Sequence, residues 1–343
     1  MRATVMRRSA LVVDTLPDPE PGPGEVLVRT LACGICGSDL HALRHAEKLA
    51  EAAREADMPF TMDPARDVVM GHEFCAEVVD FGRDTQRTVK PGTRVVSMPL
   101  VLGARGLHGV GYSNEYPGGY GELMLLSEPM LLPVPNGLPT EHAALTEPMA
   151  VGLHAVAKAR LEPGDAALVV GCGPVGLAVV AALRLRRVEP IVAADFSPTR
   201  RALAATVGAH VVVDPAVERG VDALGRAAGA RPAVVFECVG VPGLLGRLMR
   251  EAPREARIVV AGVCMEDDRI RPMLGINKEL SVQFVLGYRP DEFADTLAAI
   301  ADGRIAVAPL VTGKVGVEGV AEAFETLARP DAHAKILVEP WRR

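Results

Sequence analysis

The chain has little of what marks secreted, membrane-bound or nucleic-acid-binding proteins. It has six cysteines among 343 residues, and no apolar segment follows Met1 and Arg2. We therefore expect a protein of the reducing cytoplasm rather than a disulfide scaffold. Its 37 basic and 43 acidic residues give a formal net charge of −6, and it contains no block of basic residues. We expect neither nucleic acid nor a membrane surface as a partner.

One stretch without charge, residues 166–183, approaches the length of a membrane-spanning helix. Glycine and proline interrupt its middle, at Gly171, Gly173, Pro174 and Gly176. These residues favour a strand, a tight turn and a helix over one continuous helix. We therefore predict a buried βα unit there and no membrane span.

Two patterns divide the chain, and together they predict an α/β protein. In the first half, short β-branched runs bounded by glycine and proline predict a mostly β unit, with strands at 25–29, 77–80, 93–98 and 122–126. From about Leu153, apolar strands alternate with helical segments, which predicts a doubly wound parallel sheet. Its strands are expected at 167–170, 191–194, 211–213, 233–236, 257–260 and 280–286. A helix at 293–301 and a strand at 335–338 follow.

A glycine-rich string follows the first strand of the parallel part. Gly171-Cys172-Gly173-Pro174-Val175-Gly176 reads G-x-G-x-x-G between an apolar strand and an apolar helix, which is the context of a dinucleotide-binding turn. Unpaired N–H groups at the start of that helix would bind the pyrophosphate.

The choice of dinucleotide depends on the end of the next strand. Asp195 lies 19 residues after Gly176, where a carboxylate binds the adenosine ribose and repels a 2′-phosphate. We therefore expect NAD, although Arg200 and Arg201 leave NADP open because arginine also pairs with phosphate. The alternative is an ordinary βα turn in which Asp195 caps the next helix.

The first half carries a second group of chemically able residues. Cys36, His72, Glu73 and Glu147 offer the thiolate, imidazole and carboxylate ligands that suit zinc, and three protein ligands would leave one position for solvent or substrate. Taken singly, each has a simpler interpretation: His72 as a core histidine, Cys36 as a small buried hydrophobe and Glu147 as a surface acid. Spacing alone does not decide between these interpretations.

Several strings occur in an order that resembles a known family. They are Cys33-Gly34-Ile35-Cys36-Gly37-Ser38-Asp39-Leu40-His41, Gly71-His72-Glu73, Pro91-Gly92-Thr93-Arg94-Val95, Glu147-Pro148 and the glycine-rich turn with Asp195. The chain resembles the zinc-dependent medium-chain dehydrogenases, which include alcohol, polyol, butanediol and threonine dehydrogenases. The resemblance implies a GroES-like, mostly β catalytic domain from residues 1–152 and 290–343, with a Rossmann domain at 153–289 between them.

The resemblance also implies site residues. Cys36 and His72 would be zinc ligands, and Glu73 would be the third. Glu147 matches an acid that binds the zinc in some relatives and holds its water in others, so the choice between the two glutamates stays open. The remaining roles are Ser38 as acceptor of the substrate proton, His41 as the group that passes it outward, and Asp39 as the partner of the ligand histidine.

For the cofactor, the resemblance implies a second set of positions. Arg200 would lie beside the adenosine ribose, and two strand-end turns, Cys238-Val239-Gly240 and Gly262-Val263, would line the nicotinamide. The implied reaction is reversible hydride transfer between a primary or secondary alcohol and NAD at one catalytic zinc per chain, which lowers the pKa of the bound alcohol. Leu100, Val101 and Leu102 suggest an apolar wall, and hence a hydrophobic alcohol.

Two other functions stay open. A zinc-free quinone or enone reductase of the same superfamily would not need Cys36, His72 and Glu73 together, and such enzymes usually prefer NADPH. A non-catalytic NAD-binding redox sensor would not need Ser38 and His41 as a proton relay.

The chain departs from the resemblance in two places. Residues 99–120 hold no cysteine, so the four-cysteine structural zinc lobe of many relatives is missing, and we interpret Cys33, Cys75, Cys172, Cys238 and Cys264 as non-ligands. The loop in its place, with His108, Tyr112, Asn114 and Tyr116, is either filler or a substrate or subunit contact. Residues 42–57 form an insertion with helical spacing, either a solvated surface helix or a lid over the site; we favour a lid that shapes substrate entry.

The run Leu280–Leu286 predicts an apolar strand at the end of the parallel sheet. An apolar edge strand favours pairing with a second copy of the chain. We therefore expect a homodimer or homotetramer that acts on a small alcohol or carbonyl compound.

Overall fold

The structure, a computed structural model, describes residues 1–58, 62–103, 106–329 and 331–342. It divides into two compact units, the first formed by Met1–Glu147 with Val311–Arg343 and the second by Pro148–Leu310. The first unit therefore uses both ends of the chain. The chain returns to the first unit at Val311, later than the expected residue 290. The helix that begins at Pro290 belongs to the second unit, because it buries Phe293 and Leu297 and its Glu292 side chain bonds His154.

The described part of the first unit begins with two helices and nine strands. The helices are α1 (Gly37–Glu55) and α2 (Thr140–Ala143). The strands are β1 (Arg2–Arg7), β2 (Ala10–Thr15), β3 (Glu25–Gly34), β4 (Glu73–Phe81), β5 (Arg94–Ser97), β6 (Leu100–Gly103), β7 (Gly106–Gly109), β8 (Leu123–Ser127) and β9 (Leu131–Pro133).

The second unit alternates strands and helices. Helix α3 (Thr146–Lys158) leads into it. Its strands are β10 (Ala166–Val170), β11 (Ile191–Ala194), β12 (Val211–Val213), β13 (Ala233–Glu237), β14 (Arg257–Val260) and β15 (Ser281–Phe284). Its further helices are α4 (Pro174–Leu185), α5 (Pro198–Val207), α6 (Gly220–Ala228), α7 (Leu244–Glu251), α8 (Pro272–Lys278) and α9 (Pro290–Ala301).

The chain then returns to the first unit through β16 (Val311–Val315), α10 (Val320–Leu327) and β17 (Lys335–Val338). The large sheet of this unit has the order β16-β17-β3-β4-β5-β9, and β8 also pairs with β3. Strand β17 runs antiparallel to β3 and pairs Leu337 with Gly34. The last strand of the chain is thus placed beside the segment that leads to Cys36.

The sheet of the second unit is parallel throughout, in the order β12-β11-β10-β13-β14-β15. Strands β10, β11 and β13 are buried at every position, as expected for central parallel strands covered on both faces. The edge strand β15 is exposed at every position. The 166–183 stretch is a strand, a turn and a helix, and none of the described helices is both long and apolar enough to cross a membrane.

Helix α1 begins five residues earlier than the insertion predicted. The Asp39 carboxylate accepts a hydrogen bond from the backbone N–H of Cys36 at 3.0 Å, and such a reach back to the residue before the helix stabilises its first turn. Ser38 and His41 are therefore helical residues. The backbone leaves helical geometry once, at His45, while Ala42 and Ala46 pack in the core of the first unit.

Candidate metal and dinucleotide sites

Three predicted zinc ligands meet in the first unit. Ligand atoms of Cys36, His72 and Glu73 all lie within 4.8 Å of one another, the one such group of three among the described residues. His72 and Glu73 are buried, at 8% and 1% exposure, whereas Cys36 is partly exposed. A thiol, an imidazole and a carboxylate at this spacing fit a zinc ion with one coordination position left open.

Strand pairing brings these residues together from distant parts of the sequence. Strand β3 ends at Gly34 and β4 begins at Glu73, and the sheet register pairs these two residues directly. A Cβ atom at Gly34 would lie 2.0 Å from Glu73 Oε2, so only glycine leaves room for the carboxylate. Gly71 has φ +103° and its missing Cβ faces Tyr120 and Cys33, which sets the turn that delivers His72.

Asp39 holds His72 from behind. Its Oδ1 lies 3.4 Å from His72 Nδ1, and its Oδ2 accepts a 2.6 Å hydrogen bond from the Tyr120 hydroxyl. A carboxylate behind a ligand histidine fixes the ring and its tautomer, which leaves the other ring nitrogen for a metal. The expected role of Asp39 agrees with this geometry.

The electrostatics of this pair are dominated by mutual attraction. Burial would raise the pKa of Asp39, but His72 and the hydrogen bonds to Asp39 outweigh burial and lower it. Burial would likewise lower the pKa of His72, but Asp39 overcomes it and holds that pKa well above its ordinary value. These shifts apply to the metal-free protein, and a zinc ion bound at the other ring nitrogen of His72 would displace the proton there.

A buried lysine, which the sequence did not suggest, contacts Glu73. Lys335 Nζ donates hydrogen bonds to both carboxylate oxygens of Glu73 at 2.7 Å and to the Ile35 carbonyl at 3.0 Å. Lys335 is only 3% exposed. Burial would lower its pKa, but the Glu73 carboxylate raises it above the ordinary value, so the lysine remains charged.

The two glutamates differ in position. Glu73 belongs to the group of three ligand residues, and Glu147, in the first turn of α3 and 9% exposed, does not.

Ser38 and His41 lie three residues apart in α1, on neighbouring positions of one helix face. Burial, followed by the nearby His45 and Arg44, lowers the pKa of His41, which favours a neutral imidazole.

The loop that replaces the cysteine lobe contributes two tyrosines. The Tyr112 hydroxyl lies 2.8 Å from Ser38 Oγ and 3.1 Å from Asp39 Oδ1, and its ring centroid is 5.2 Å from that of His72. Burial, followed by the Asp39 charge, raises the pKa of Tyr112 and of Tyr120 well above the usual value. Three of the four tyrosines of the chain lie in 112–120, a concentration that could have flagged the loop.

Cys33 is placed as a core residue. It is fully buried, and missing side chains at Gly71 and Gly119 make the room for its sulfur. Burial raises its pKa well above the ordinary value, with Asp39 and Glu73 adding to the shift. Among the described residues, Cys36 is the one cysteine in the group of ligand residues.

Two of the residues expected to form an apolar wall differ in exposure. Val101 packs in the core of the first unit, while Leu102 is 67% exposed and lines a cavity of about 480 Å³ with Glu20, Glu25 and Tyr116. None of the three ligand residues lines that cavity. The expectation of a hydrophobic substrate therefore stays a prediction.

In the second unit, each glycine of the G-x-G-x-x-G string has a distinct position. Gly171 has φ +89°, and a Cβ there would meet Val239 at 2.5 Å; a Cβ on Gly176 would lie 1.9 Å from the Gly171 carbonyl oxygen. Gly173 instead faces open space, with Arg200 as the nearest neighbour at 3.9 Å. Pro174 and Val175 begin α4 immediately after it. The turn thus leaves the backbone N–H groups accessible to a phosphate.

Asp195 ties the glycine-rich turn to the end of β11. Its carboxylate accepts hydrogen bonds from Cys172 N at 2.7 Å and Ser197 N at 2.8 Å. Ser197, rather than Asp195, caps α5 by accepting from Arg200 N. Arg201 donates to the Asp195 carbonyl at 2.7 Å and pairs with Asp214 at 3.1 Å, whereas Arg200 is the neighbour of Gly173 in the turn.

The two strand-end turns also come together. A Cβ on Gly262 would lie 2.3 Å from Gly240 N, and one on Gly240 would lie 2.4 Å from the Val263 carbonyl oxygen. The buried Glu237 side chain, which the sequence did not suggest, accepts hydrogen bonds from Val239 N and Gly240 N. Cys238 lies between these anchoring contacts, and Val239 and Val263 present exposed apolar surface beyond the strand ends.

Comparisons with known proteins agree with this architecture. A family described as "Alcohol dehydrogenase GroES-like domain" matches residues 22–136, and one described as "Zinc-binding dehydrogenase" matches residues 174–302. An (R,R)-butanediol dehydrogenase of Bacillus subtilis is 33% identical over 96% of both chains. A sorbitol dehydrogenase of Gallus gallus is 28% identical over 99% of this chain and 96% of its own.

Solved structures are similar over nearly the whole chain. The crystal structure of 2R,3R-butanediol dehydrogenase from Bacillus subtilis has a TM-score of 0.84 and 31% identity, covering 99% of both chains. A zinc-binding dehydrogenase from Sinorhizobium meliloti 1021, bound to NADP, has a TM-score of 0.84 and 28% identity over the same coverage.

The chain belongs to the zinc-dependent medium-chain dehydrogenase family. The predicted fold, a GroES-like unit plus a Rossmann unit, is confirmed. The chain is accordingly an oxidoreductase of the alcohol and polyol dehydrogenase type, with zinc and NAD(P) as the cofactors of its family.

Proposed function

We propose that this protein oxidises an alcohol reversibly to an aldehyde or ketone, with NAD as the preferred hydride acceptor. One observation carries the proposal: Cys36, His72 and Glu73 come within 4.8 Å of one another in the unit that also holds Ser38 and His41. Neither a zinc-free reductase nor a redox sensor would require both sets of residues.

In this proposal Cys36, His72 and Glu73 hold the zinc. Glu147 is a further carboxylate that would bind either the zinc or its water. Zinc bound there lowers the pKa of an alcohol hydroxyl and polarises a carbonyl in the reverse direction. Asp39 keeps the His72 ring oriented through Nδ1. Lys335 offsets part of the negative charge that Glu73 adds to a buried site.

The protein supplies the proton path. Ser38 takes the hydroxyl proton of the alcohol while its own hydrogen leaves toward His41, which lies one helical turn further on. The lowered pKa of His41 keeps its imidazole neutral near pH 7 and able to receive that proton. The bound nicotinamide would accept the hydride from the alcohol carbon.

For the dinucleotide, the turn Gly171–Gly176 at the N-terminus of α4 would bind the pyrophosphate. Asp195 would accept from the adenosine ribose hydroxyls with Arg200 beside them, and Val239 and Val263 would line the nicotinamide. The negative charge of Asp195 favours NAD over NADP. Because one similar solved structure is bound to NADP, kcat/KM should be measured with both NAD and NADP.

For the substrate, we propose a secondary alcohol or a vicinal diol, because two similar relatives carry the names of a butanediol and a sorbitol enzyme. The exposed strand β15 supports assembly as a homodimer or homotetramer.

The test is a screen of the zinc-loaded protein for NAD and NADP reduction across aliphatic, aromatic, terpenoid, diol and polyol alcohols. We expect turnover of at least one secondary alcohol or diol, lost in Cys36→Ala. Enone reduction with NADPH that survives zinc removal would replace the proposal with the zinc-free reductase. NAD binding without any turnover would replace it with the sensor.

A further inference from the structure

Hydrogen bonds hold residues 112–116 of the loop that replaces the cysteine lobe. Tyr112 N donates to the Gly109 carbonyl at 3.0 Å, directly after the β6–β7 hairpin. Ser113 Oγ accepts from the backbone N–H groups of Glu115 and Tyr116. The Asn114 side chain bonds the backbone of Asp63 and Asp67, shortly before His72 in the chain. A side chain on this segment is therefore held in place.

Tyr112 is the residue that this segment presents to the site. Its hydroxyl is within hydrogen-bond distance of Ser38 Oγ at 2.8 Å and of Asp39 Oδ1 at 3.1 Å. Its ring packs against His72 with centroids 5.2 Å apart. One phenol thus contacts the hydroxyl that is to receive the substrate proton, the carboxylate behind the ligand histidine, and the histidine itself.

We propose that Tyr112 is a positioning residue for the proton-accepting hydroxyl of Ser38. This inference rests on the proposed function. A free serine hydroxyl samples three staggered rotamers, and proton transfer needs one fixed orientation toward the substrate. Tyr112 fixes it, because its hydroxyl donates to Ser38 Oγ while its ring is held against His72.

The hydrogen-bond capacity of Ser38 matches this role. A hydroxyl offers one hydrogen and two acceptor positions. Tyr112 donates to Ser38 Oγ and so occupies one of the two acceptor positions. The second acceptor position remains for the proton of the alcohol, and the Ser38 hydrogen remains for the group that receives it. In the step, the O–H bond of the alcohol breaks and a new one forms on Ser38 Oγ, while the original Ser38 hydrogen departs toward His41. Tyr112 neither gains nor loses a proton.

The test uses Tyr112→Phe, which removes the hydroxyl and keeps the ring against His72. Tyr116→Phe is the matched control, because it lies in the same segment but its hydroxyl bonds Glu25 at 2.7 Å. Both changes are made in the wild-type chain and in a Ser38→Ala chain. Zinc content, kcat and KM are measured for each, and crystal structures of zinc-loaded wild type and Tyr112→Phe report the Ser38 rotamer.

We expect Tyr112→Phe to lower kcat about ten-fold, the effect of one lost hydrogen bond to the relay. KM and zinc content should remain at wild-type values, Ser38 should occupy more than one rotamer, and the loss should vanish in the Ser38→Ala chain. Tyr116→Phe should match wild type throughout. An unchanged kcat, an equal loss in the Ser38→Ala chain, or a loss explained by missing zinc would overturn the inference. If instead wild type is inactive or Ser38→Ala keeps full activity, the proposed function itself fails.

Discussion

Lys335 and Glu73 form a buried ion pair in which Nζ lies 2.7 Å from both carboxylate oxygens, although 262 residues separate them in sequence. Strand pairing between β17 and β3, and between β3 and β4, brings them together. The carboxylate that we assign to zinc therefore has a cation in contact before any metal binds.

Lys335→Met should strongly destabilise the zinc-free protein, by about 3–5 kcal/mol, because it leaves the Glu73 charge buried and unpaired. The matched control is Lys314→Met, whose lysine is 32% exposed and pairs with Glu141 and Glu339, and whose loss should cost about 1 kcal/mol or less. Denaturant unfolding measures both. Zinc loading should reduce the cost of Lys335→Met, because the metal supplies a counter-charge. Equal costs for the two variants would contradict the role given to this pair.

The preference for NAD over NADP tests the role of the Asp195 charge. Asp195 accepts from Cys172 N through Oδ2 and from Ser197 N through Oδ1, so Asp195→Asn removes the charge and keeps one of these two hydrogen bonds. The ratio of kcat/KM for NADP to that for NAD should rise by about ten-fold or more, since roughly 1.4 kcal/mol of repulsion is lost. Asp222→Asn, an equal change of charge in α6 of the same unit, should leave the ratio unaltered. A ratio that moves equally in both variants would remove Asp195 from cofactor selection.

The pH dependence of alcohol oxidation tests His41. Its pKa lies below the ordinary 6.5 because of burial, and then because of His45 and Arg44. Neutral His41 accepts the proton, so the rate should fall as pH drops through this lowered pKa. His45→Gln removes one of the causes and should move the inflection to higher pH, while His41→Gln should abolish it. An inflection unmoved by either change would place the proton path elsewhere.

The oligomeric state of the protein tests whether the exposed edge strand β15 pairs with a second copy of the chain. Val282 and Phe284 of β15 are 37% and 64% exposed, and β15 ends the sheet. Val282→Lys should dissociate the assembly, because a charge at a sheet edge opposes pairing. Val217→Lys, at a residue that is 86% exposed in the same unit, should leave it intact. Sedimentation velocity distinguishes the two outcomes, and a monomeric wild type would refute the assembly outright.

The parts of the fold that local sequence determines were predicted well. The glycine-rich turn is specified by three glycines within six residues, and the terminal strand 335–338 was placed at the residues where it occurs. The start of α1 was missed because Gly37 and Ser38 are poor helix formers and the stabilising contact is the Asp39 bond to Cys36 N.

The site was predictable only where a motif carried it. Cys36, His72 and Glu73 followed from family resemblance, since nothing local indicates that β3 ends beside the start of β4. Lys335 and Tyr112 escaped because their contacts depend on strand order and on the path of a glycine-rich loop. A lysine in an apolar strand, as in Lys335-Ile336-Leu337-Val338, was the one visible signal for the first of them. Whether α1 covers the site as a lid stays a prediction.

The most direct measurement of the central claim is zinc per chain after metal-replete purification, taken together with NAD-linked alcohol oxidation. Wild type and Cys33→Ala should each hold about one zinc per chain and be active, because Cys33 is a core residue. Cys36→Ala should lose both the zinc and the activity, because the Cys36 thiolate is a zinc ligand. Full activity in wild type that holds fewer than about 0.3 zinc per chain would contradict the account, because a Lewis-acid site cannot work empty.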